Sequence, residues 1–569
     1  MSRERELFNL WSESLKNKEA YLVELNGIKD DEAEIKDRFY RELDFGTAGL
    51  RGVLGLGINR MNVFTVGRAT QGLSDYLKTE KESPVVAIAY DSRINSALFA
   101  RQAASVFAGN GIKAYLYDEL MPTPALSFAV RELGCDSGVV ITASHNPAKY
   151  NGYKAYGSDG CQIGPETAKA VMENILKTDI FGGVKSMDFE SGLESGMIEF
   201  IPESFVQKYI GRVLEEAINP DVCRDAGLKL VYTPLNGAGN RCVRTVLKRL
   251  GVTDVTVVPE QEHPDGNFPT CPYPNPEMRE ALDLGFKLTE KINADLLLAT
   301  DPDADRVAAA VKDGDNFKIL SGNEIGVLLL DYICAARIQK GIMPKNPVAA
   351  KSIVSTKLAD AVAKEYGVEM KNVLTGFKFI GEEVLRLEEK GEENRFILGF
   401  EESCGYLSGG YVRDKDAVNA SMLIVEMACA YKKQGKTLAR KLNEIYEKHG
   451  IYYNKVESFA FEGADGMEKM AGIMQSLRDD SPGQIGGASV IETTDYQSGI
   501  RKDKGGESPT GLPQSDVLEY VLQNKCAVIV RPSGTEPKIK IYYSLVGSTQ
   551  DEVHNLAELY SKELAGFIK

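Results

Sequence analysis

Two short stretches of this 569-residue chain combine residue types suited to moving a phosphoryl group. The first, Thr142-Ala143-Ser144-His145-Asn146-Pro147, follows the apolar run Gly138-Val139-Val140-Ile141. A small nucleophile at the end of a buried strand is held rigidly, with its hydroxyl presented at the strand's end. The second, Asp301-Pro302-Asp303-Ala304-Asp305-Arg306, follows Leu296-Leu297-Leu298-Ala299. Three carboxylates at alternate positions converge on one cation when the backbone turns between them, and Pro302 restricts that turn. Hard oxygen ligands select Mg²⁺ or a similar ion. Without a cation, repulsion among three close carboxylates is costly. An EF-hand is excluded, because the loop's sixth position is Arg306 and its twelfth is Lys312, where that motif needs Gly and Glu. A hydroxyl that can carry phosphate and carboxylates that can hold a divalent cation are two halves of a phosphoryl-transfer site.

Further residues fit the same chemistry. Ser144 lacks the G-x-S-x-G context of a Ser-His-Asp hydrolase. Adjacent side chains diverge in an extended stretch, so His145 is expected to orient phosphate rather than deprotonate Ser144. In Arg531-Pro532-Ser533-Gly534-Thr535-Glu536-Pro537, Arg531 offers a bidentate fork, Ser533 and Thr535 add hydroxyls, and Gly534 lets backbone N–H groups approach an anion. No Walker motif is present. Glu401 and Ser403, in Glu401-Glu402-Ser403, can hydrogen-bond sugar hydroxyls. Arg51, among the glycines of Phe45-Gly46-Thr47-Ala48-Gly49-Leu50-Arg51-Gly52, can meet a bound anion. Lys154, after Asn151-Gly152, and Lys378, in Thr375-Gly376-Phe377-Lys378, can serve as proton donors or phosphate contacts.

The elements needed to position these residues recur three times. Val85–Ala89 reads as a strand, followed by a helix capped at Asn95 or Ser96 with Phe99, Ala103, Val106 and Phe107 on one face. A helix beginning near Pro124 then leads to the strand before the Ser loop. A second pass starts at Leu228–Tyr232, continues through a helix capped by Asn240 and stopped by Gly251, and ends at the Asp loop. The third carries the helix Leu358–Tyr366, stopped by Gly367, and ends with strand Phe396–Leu398 and the Glu401 loop. This alternation predicts α/β units with mainly parallel mixed sheets and ligands at the strands' C-terminal ends. The last segment differs. Cys526–Val530 and Ile539–Tyr543 read as strands around the Arg531 turn, with a closing helix near 556–567, giving a smaller α+β domain. Expected boundaries are 1–198, 199–318, 319–450 and 451–569. Tracts at 182–197 and 480–513 read as linkers or flexible loops, and Phe8–Leu25 as one amphipathic helix carrying Trp11 and packed on the first domain.

Composition narrows the partners. A net charge of −15 argues against nucleic acid or an anionic membrane as main partner, so an anionic substrate must be attracted by local Arg and Lys. The nine scattered cysteines form no C-x-x-C, which indicates neither a disulfide framework nor a zinc site and fits a reducing cytoplasm. The charged N-terminus lacks the apolar core of a signal peptide, and no run approaches the ~18 apolar residues of a membrane span.

In this order the four loops resemble the α-D-phosphohexomutase superfamily of phosphoglucomutases and phosphomannomutases, from about Asp44 to Tyr543. The Phe-Gly-Thr-Ala-Gly-Leu-Arg-Gly opening, the Glu-Glu-Ser form and the length resemble the long phosphoglucomutase/phosphopentomutase branch. The resemblance implies four domains around a central cleft. It implies phosphoserine at Ser144, and one Mg²⁺ held by Asp301, Asp303 and Asp305 with a phosphoserine oxygen. Catalytic roles fall to Ser144, His145, Arg51 and one of Lys154 or Lys378. Substrate contacts fall to Arg306, Thr375, Gly376, Glu401, Ser403, Arg531, Ser533, Gly534, Thr535 and Lys540. The family's sugar loop often carries a His that this chain lacks in Phe400–Tyr406, which puts the acid/base role of that His in doubt here and makes Lys378 a candidate beside Lys154. The activity implied is exchange of glucose 1-phosphate and glucose 6-phosphate, activated by glucose 1,6-bisphosphate, with mannose and pentose phosphates as alternative substrates. Two rivals remain: a phosphatase using Asp301 as nucleophile with Asp303 as acid, and a non-catalytic sugar-phosphate binder.

Overall fold

Apolar runs bounded by glycines and helix caps become the strands of separate sheets. The computed structural model describes residues 2–46, 49–314, 316–461, 465–533 and 537–568. The chain divides into two compact units. One comprises Met1–Leu320, Gly381–Phe396 and Cys404–Gly435; the other comprises Ser321–Ile380, Ile397–Ser403 and Lys436–Lys569.

In the first unit, β1 (Gly49–Val53), β2 (Val85–Tyr90), β3 (Lys113–Tyr117), β4 (Ser137–Ile141), β5 (Tyr150–Gly157) and β6 (Ile198–Ile201) form a sheet of order β1-β5-β4-β2-β3-β6. Strands β2, β3, β4 and β6 run parallel, whereas β5 is antiparallel to β4 and β1. β4 is buried along its whole length, as its unbroken apolar sequence requires. A second sheet contains β7 (Leu230–Thr233), β8 (Val255–Val257), β9 (Leu296–Thr300), β10 (Val307–Asp313) and β11 (Asn316–Leu320) in the order β11-β10-β9-β7-β8. Its β9 is likewise fully buried, and β9 and β10 pair antiparallel across the Asp loop, with Thr300 opposite Val307.

The N-terminal segment folds as two helices, Arg3–Ser14 and Glu19–Ile28, rather than the single one expected, because the polar stretch Lys16-Asn17-Lys18 separates the two amphipathic turns. Trp11 is fully buried and meets Phe39, Phe64 and Phe181 edge-on at 5.2–5.9 Å. Two further details differ from expectation. The helix Gly239–Leu250 is preceded by Ala238, and Asn240 instead donates to the Glu262 carbonyl at 2.7 Å. The tract 182–197 contains the short helix Phe189–Glu194.

In the second unit, β12 (Val348–Ser352) and β13 (Glu369–Val373) pair in parallel, and β14 (Phe396–Glu401) follows in the order β13-β12-β14. The short β15 (Gly405–Leu407) belongs to the first unit. The C-terminal part forms a larger sheet from β16 (Ile451–Ala460), β17 (Gln484–Ile485), β18 (Ala488–Asp495), β19 (Ile500–Asp503), β20 (Gly506–Pro509), β21 (Leu518–Leu522), β22 (Ala527–Pro532) and β23 (Lys538–Gly547), closed by the helix Gln550–Ile568. Tract 480–513 is therefore mostly strand, not linker. Its glycines make tight turns between short antiparallel strands, with Gly486 at φ +56° packed so closely on Tyr560 that a Cβ would lie 2.1 Å from the ring. A shared core of Ile353, Val354, Leu374, Tyr496, Val517, Ile529 and Tyr542 joins the two parts of this unit.

Candidate functional site

The Asp loop is a hairpin turn closed around its own first carboxylate. Asp301 Oδ1 accepts the backbone N–H groups of Asp305 (3.1 Å) and Arg306 (3.0 Å), and Ala304 adopts φ +50° to bring them round. Asp301, Asp303 and Asp305 are buried and each offers an oxygen within 4.8 Å of the others. The Ser loop arrives at the end of β4 beside it. Ser144 Oγ lies 2.8 Å from Asp301 Oδ2, so side chains 157 positions apart in sequence share one site within the first unit.

Ser144 sits at φ +52°, in the left-handed region, which costs a non-glycine residue about 1–2 kcal/mol. This conformation corrects the expectation of diverging side chains, since it places His145 Nδ1 3.1 Å from Ser144 Oγ. If the hydroxyl donates to Asp301, the imidazole must donate Nδ1–H to Oγ. Burial, followed by the positive charge of Arg306, pushes the His145 imidazole down to about 2, so the ring is neutral.

Charges around the triad are unequally balanced. Burial, then repulsion from Asp303 and Asp305, pushes the Asp301 carboxyl well above the usual range. Burial opposes ionisation of Asp303 too, but the Lys154 ammonium and neighbouring hydrogen bonds outweigh it and hold that group well below the usual range. Lys154 Nζ is 3.0 Å from Asp303 Oδ2 and 3.7 Å from Asp305 Oδ2. Burial pulls this lysine down, but the two carboxylates outweigh it and raise it. Asp303 Oδ1 and Asp305 Oδ1 are buried without a hydrogen-bond partner among the described residues. Carboxylate oxygens that lack hydrogen-bond donors and converge with a third carboxylate are what a hard divalent cation would satisfy, so the residues present fit such an ion.

Arg51 lies on β1 opposite Gly152 of β5, with Gly49 opposite Lys154. A Cβ on Gly152 would come 2.4 Å from the Thr142 carbonyl oxygen, which explains the glycine beside the Ser loop. Arg306 pairs with Glu277 at 3.1 Å. The other predicted residues belong to the second unit. Glu401, the last residue of β14, accepts the Gly376 N–H at 2.8 Å. Thr375 precedes that glycine, and Lys378 lies 5.0 Å from the Phe379 ring. Ser403 follows two residues after Glu401. Arg531 on β22 stands opposite Lys540 on β23, and Ser533 N–H donates to the Lys538 carbonyl at 2.8 Å. Gly534 and Thr535 lie outside the described residues.

Several functional candidates escaped the sequence reading. Lys415 lies 3.2 Å from Asp305, and Thr123 Oγ1 donates to Asp303 Oδ2 at 3.0 Å. Tyr542 is flanked by the charges of Glu402, Arg531 and Glu401. Arg93 is buried, and its guanidinium donates to the carbonyls of Ser144, Asn146, Pro147 and Tyr150. Only its place in Asp91-Ser92-Arg93, at the C-terminal end of β2, hinted at a role.

Family models for the phosphoglucomutase/phosphomannomutase alpha/beta/alpha domains I, II and III match residues 42–180, 207–314 and 321–449. The chain is 37% identical over 541 residues to a phosphoglucomutase of Staphylococcus saprophyticus, covering 94% of this chain and 95% of that one. It is 38% identical over 529 residues to a phosphoglucomutase of Staphylococcus aureus, covering 92% and 93%. Its fold is similar to a phosphoglucomutase/phosphomannomutase family protein from Burkholderia thailandensis (TM-score 0.68, 17% identity, 92% and 97% covered). It is also similar in fold to the Paramecium phosphoglucomutase parafusin (TM-score 0.67, 17% identity, 93% and 95% covered).

Proposed function

The chain belongs to the phosphoglucomutase/phosphomannomutase family, and from that premise we propose that it interconverts α-D-glucose 1-phosphate and glucose 6-phosphate through a phosphorylated Ser144. The observation that carries this reading is Ser144 Oγ at 2.8 Å from Asp301 in a buried carboxylate triad. Phosphoserine 144 passes its phosphoryl group to the substrate's free hydroxyl. The bisphosphorylated sugar then turns end over end, and Ser144 takes back the other phosphate.

The proposed residue roles follow from local chemistry. Asp301, Asp303 and Asp305 would hold Mg²⁺ together with an oxygen on Ser144. Bound there, the ion supplies charge neutralisation for the transferring group. Neutral His145 donates a hydrogen bond to the Ser144 oxygen. Lys154, kept charged by Asp303 and Asp305, or Lys378 shuttles the proton: it gives one to the departing Ser144 oxygen and takes up the one that the attacking sugar hydroxyl releases, so the transfer balances. Arg51 and Arg306 attract phosphate. Thr375, Gly376, Glu401 and Ser403 read the sugar, and Arg531, Ser533, Gly534, Thr535 and Lys540 take the phosphate that is not reacting. Glucose 1,6-bisphosphate serves as activator by phosphorylating Ser144, and the setting is the cytoplasm.

Peptide mass spectrometry after incubation with glucose 1,6-bisphosphate tests this directly. Phosphate on Ser144 is expected, and its complete absence would overturn the mutase mechanism. A panel of sugar 1-phosphates assayed with Mg²⁺ should favour glucose; preference for mannose or a pentose reassigns the substrate within the family.

A further inference from the structure

Ser144 holds a backbone conformation that its residue type disfavours, and something must keep it there. Local sequence supplies one bond, the Ser144 N–H donating to Thr142 Oγ1 at 2.8 Å, but no glycine at position 144. The restraint on its carbonyl side comes from Arg93. Arg93 Nε and Nη2 both reach the Ser144 carbonyl, at 3.2 and 2.6 Å. The same guanidinium takes the carbonyls of Asn146, Pro147 and Tyr150, so one planar fork clamps the whole turn from Ser144 into β5. Arg93 is itself fixed. Its side chain is fully enclosed, Asp91 Oδ2 lies 3.4 Å from its Nε, and the Phe268 ring centroid is 5.1 Å from its central carbon. Asp91 is held in turn by Ser96 Oγ at 2.7 Å. Phe268 comes from the long loop before the helix Arg279–Ile292, and Gly266 in that loop packs so closely that a Cβ would lie 2.4 Å from Ile94 N.

We propose that Arg93, backed by Phe268, is the positioning residue that holds Ser144 in its left-handed conformation and aims its hydroxyl at Asp301. This inference rests on the mutase reading above. With the Ser144 carbonyl pinned by Arg93 and φ held at +52°, Oγ lies 2.8 Å from Asp301. A lysine could not replace Arg93, because three donors on a flexible stem cannot serve four fixed carbonyls at once. The role of Phe268 is separable, because its ring lies against the Arg93 guanidinium and carries no group that could donate to the Ser144 carbonyl.

Single-turnover phosphorylation of the full-length protein by glucose 1,6-bisphosphate separates positioning from mere folding. In Arg93→Lys the rate constant for Ser144 phosphorylation is expected to fall about 10²-fold, as for a reacting group displaced by an ångström. Steady-state kcat should fall in parallel, with KM for glucose 1-phosphate within about threefold of wild type. A merely structural residue would lower the reaction amplitude, by reducing the folded fraction, and leave the rate constant of the remaining molecules unchanged. That outcome overturns the inference. Phe268→Leu keeps the site apolar and is expected to lower the same rate constant several-fold. If Arg93→Lys does not fold, Phe268→Leu decides, and an unchanged rate constant there overturns the proposal. Wild-type protein that never acquires phosphate on Ser144 would instead overturn the mutase reading on which it stands.

Discussion

Asp303 is fully buried, and one of its oxygens accepts from both Thr123 and Lys154 while the other has no hydrogen-bond partner among the described residues. Asp303→Ala should therefore lower kcat by about 10³-fold or more, because a charge acting in a dry site is worth several kcal/mol. A circular dichroism spectrum like that of wild type would accompany the loss; near-normal activity would contradict the metal role. His145 makes a prediction about pH. Its imidazole is pushed down to about 2 by burial, while in the unfolded chain it titrates near 6.5. The unfolded state thus binds the extra proton between these values. Its contribution to stability is fully present above pH ~6.5 and declines at up to about 1.4 kcal/mol per pH unit as pH falls. Denaturant titrations of the dephosphorylated protein should show this decline, and His145→Asn should flatten it. These two roles were unequally legible in sequence. The carboxylate spacing in Asp301–Asp305 announced a cation site. The closeness of His145 to Ser144 was not announced, because it depends on a left-handed φ at a serine, a residue type that does not call for one.

At the scale of elements, the approach of β5 to the Ser loop is as tight as a backbone allows. Gly152→Ala would put a methyl 2.4 Å from the Thr142 carbonyl oxygen. Backbone cannot yield as a flexible side chain does, so we expect loss of about 2 kcal/mol or more of stability with at least a tenfold fall in kcat, measured by thermal melts and steady-state assays. Strands β4 and β9, with their unbroken apolar runs, were readable because burial on both faces leaves no alternation to misjudge. The helix ends at Gly251 and Gly367 were readable for a similar reason, as both adopt the left-handed conformation that favours glycine there. The strands in 480–513 were not. Two of them, β19 and β20, are short, largely exposed and joined by a glycine turn, and β18 is only half-buried, its ladder satisfied by β21 rather than by apolar patterning. Arg93 escaped notice for a related reason, since its partners are carbonyls brought to it by the sheet.

Across the whole molecule, the candidate chemistry is divided between the two compact units. Ser144, His145, Lys154 and the aspartates belong to the first; Glu401, Ser403, Lys378 and Arg531 belong to the second. A cation held by the triad would stabilise the first unit alone. Saturation at about a hundred times Kd should add about 2.7 kcal/mol, seen as a rise of a few degrees in the corresponding melting transition and its loss with a chelator. A melting curve indifferent to both Mg²⁺ and chelator would argue against the site. In the second unit, Lys357 and buried Glu519 form a pair at 2.7 Å, with the Tyr496 hydroxyl on the same carboxylate. Lys357→Met would leave that carboxylate buried with its main counter-charge gone, so about 3–5 kcal/mol should be lost from the other transition. Resolving the two transitions needs an optical reporter belonging to one unit only, and the chain carries one. Trp11 is its single indole, enclosed by three phenylalanine rings. Its emission should be blue-shifted in the native state and move to the red when the N-terminal helices peel away, so selective excitation reads the first unit while tyrosine absorbance reports on both.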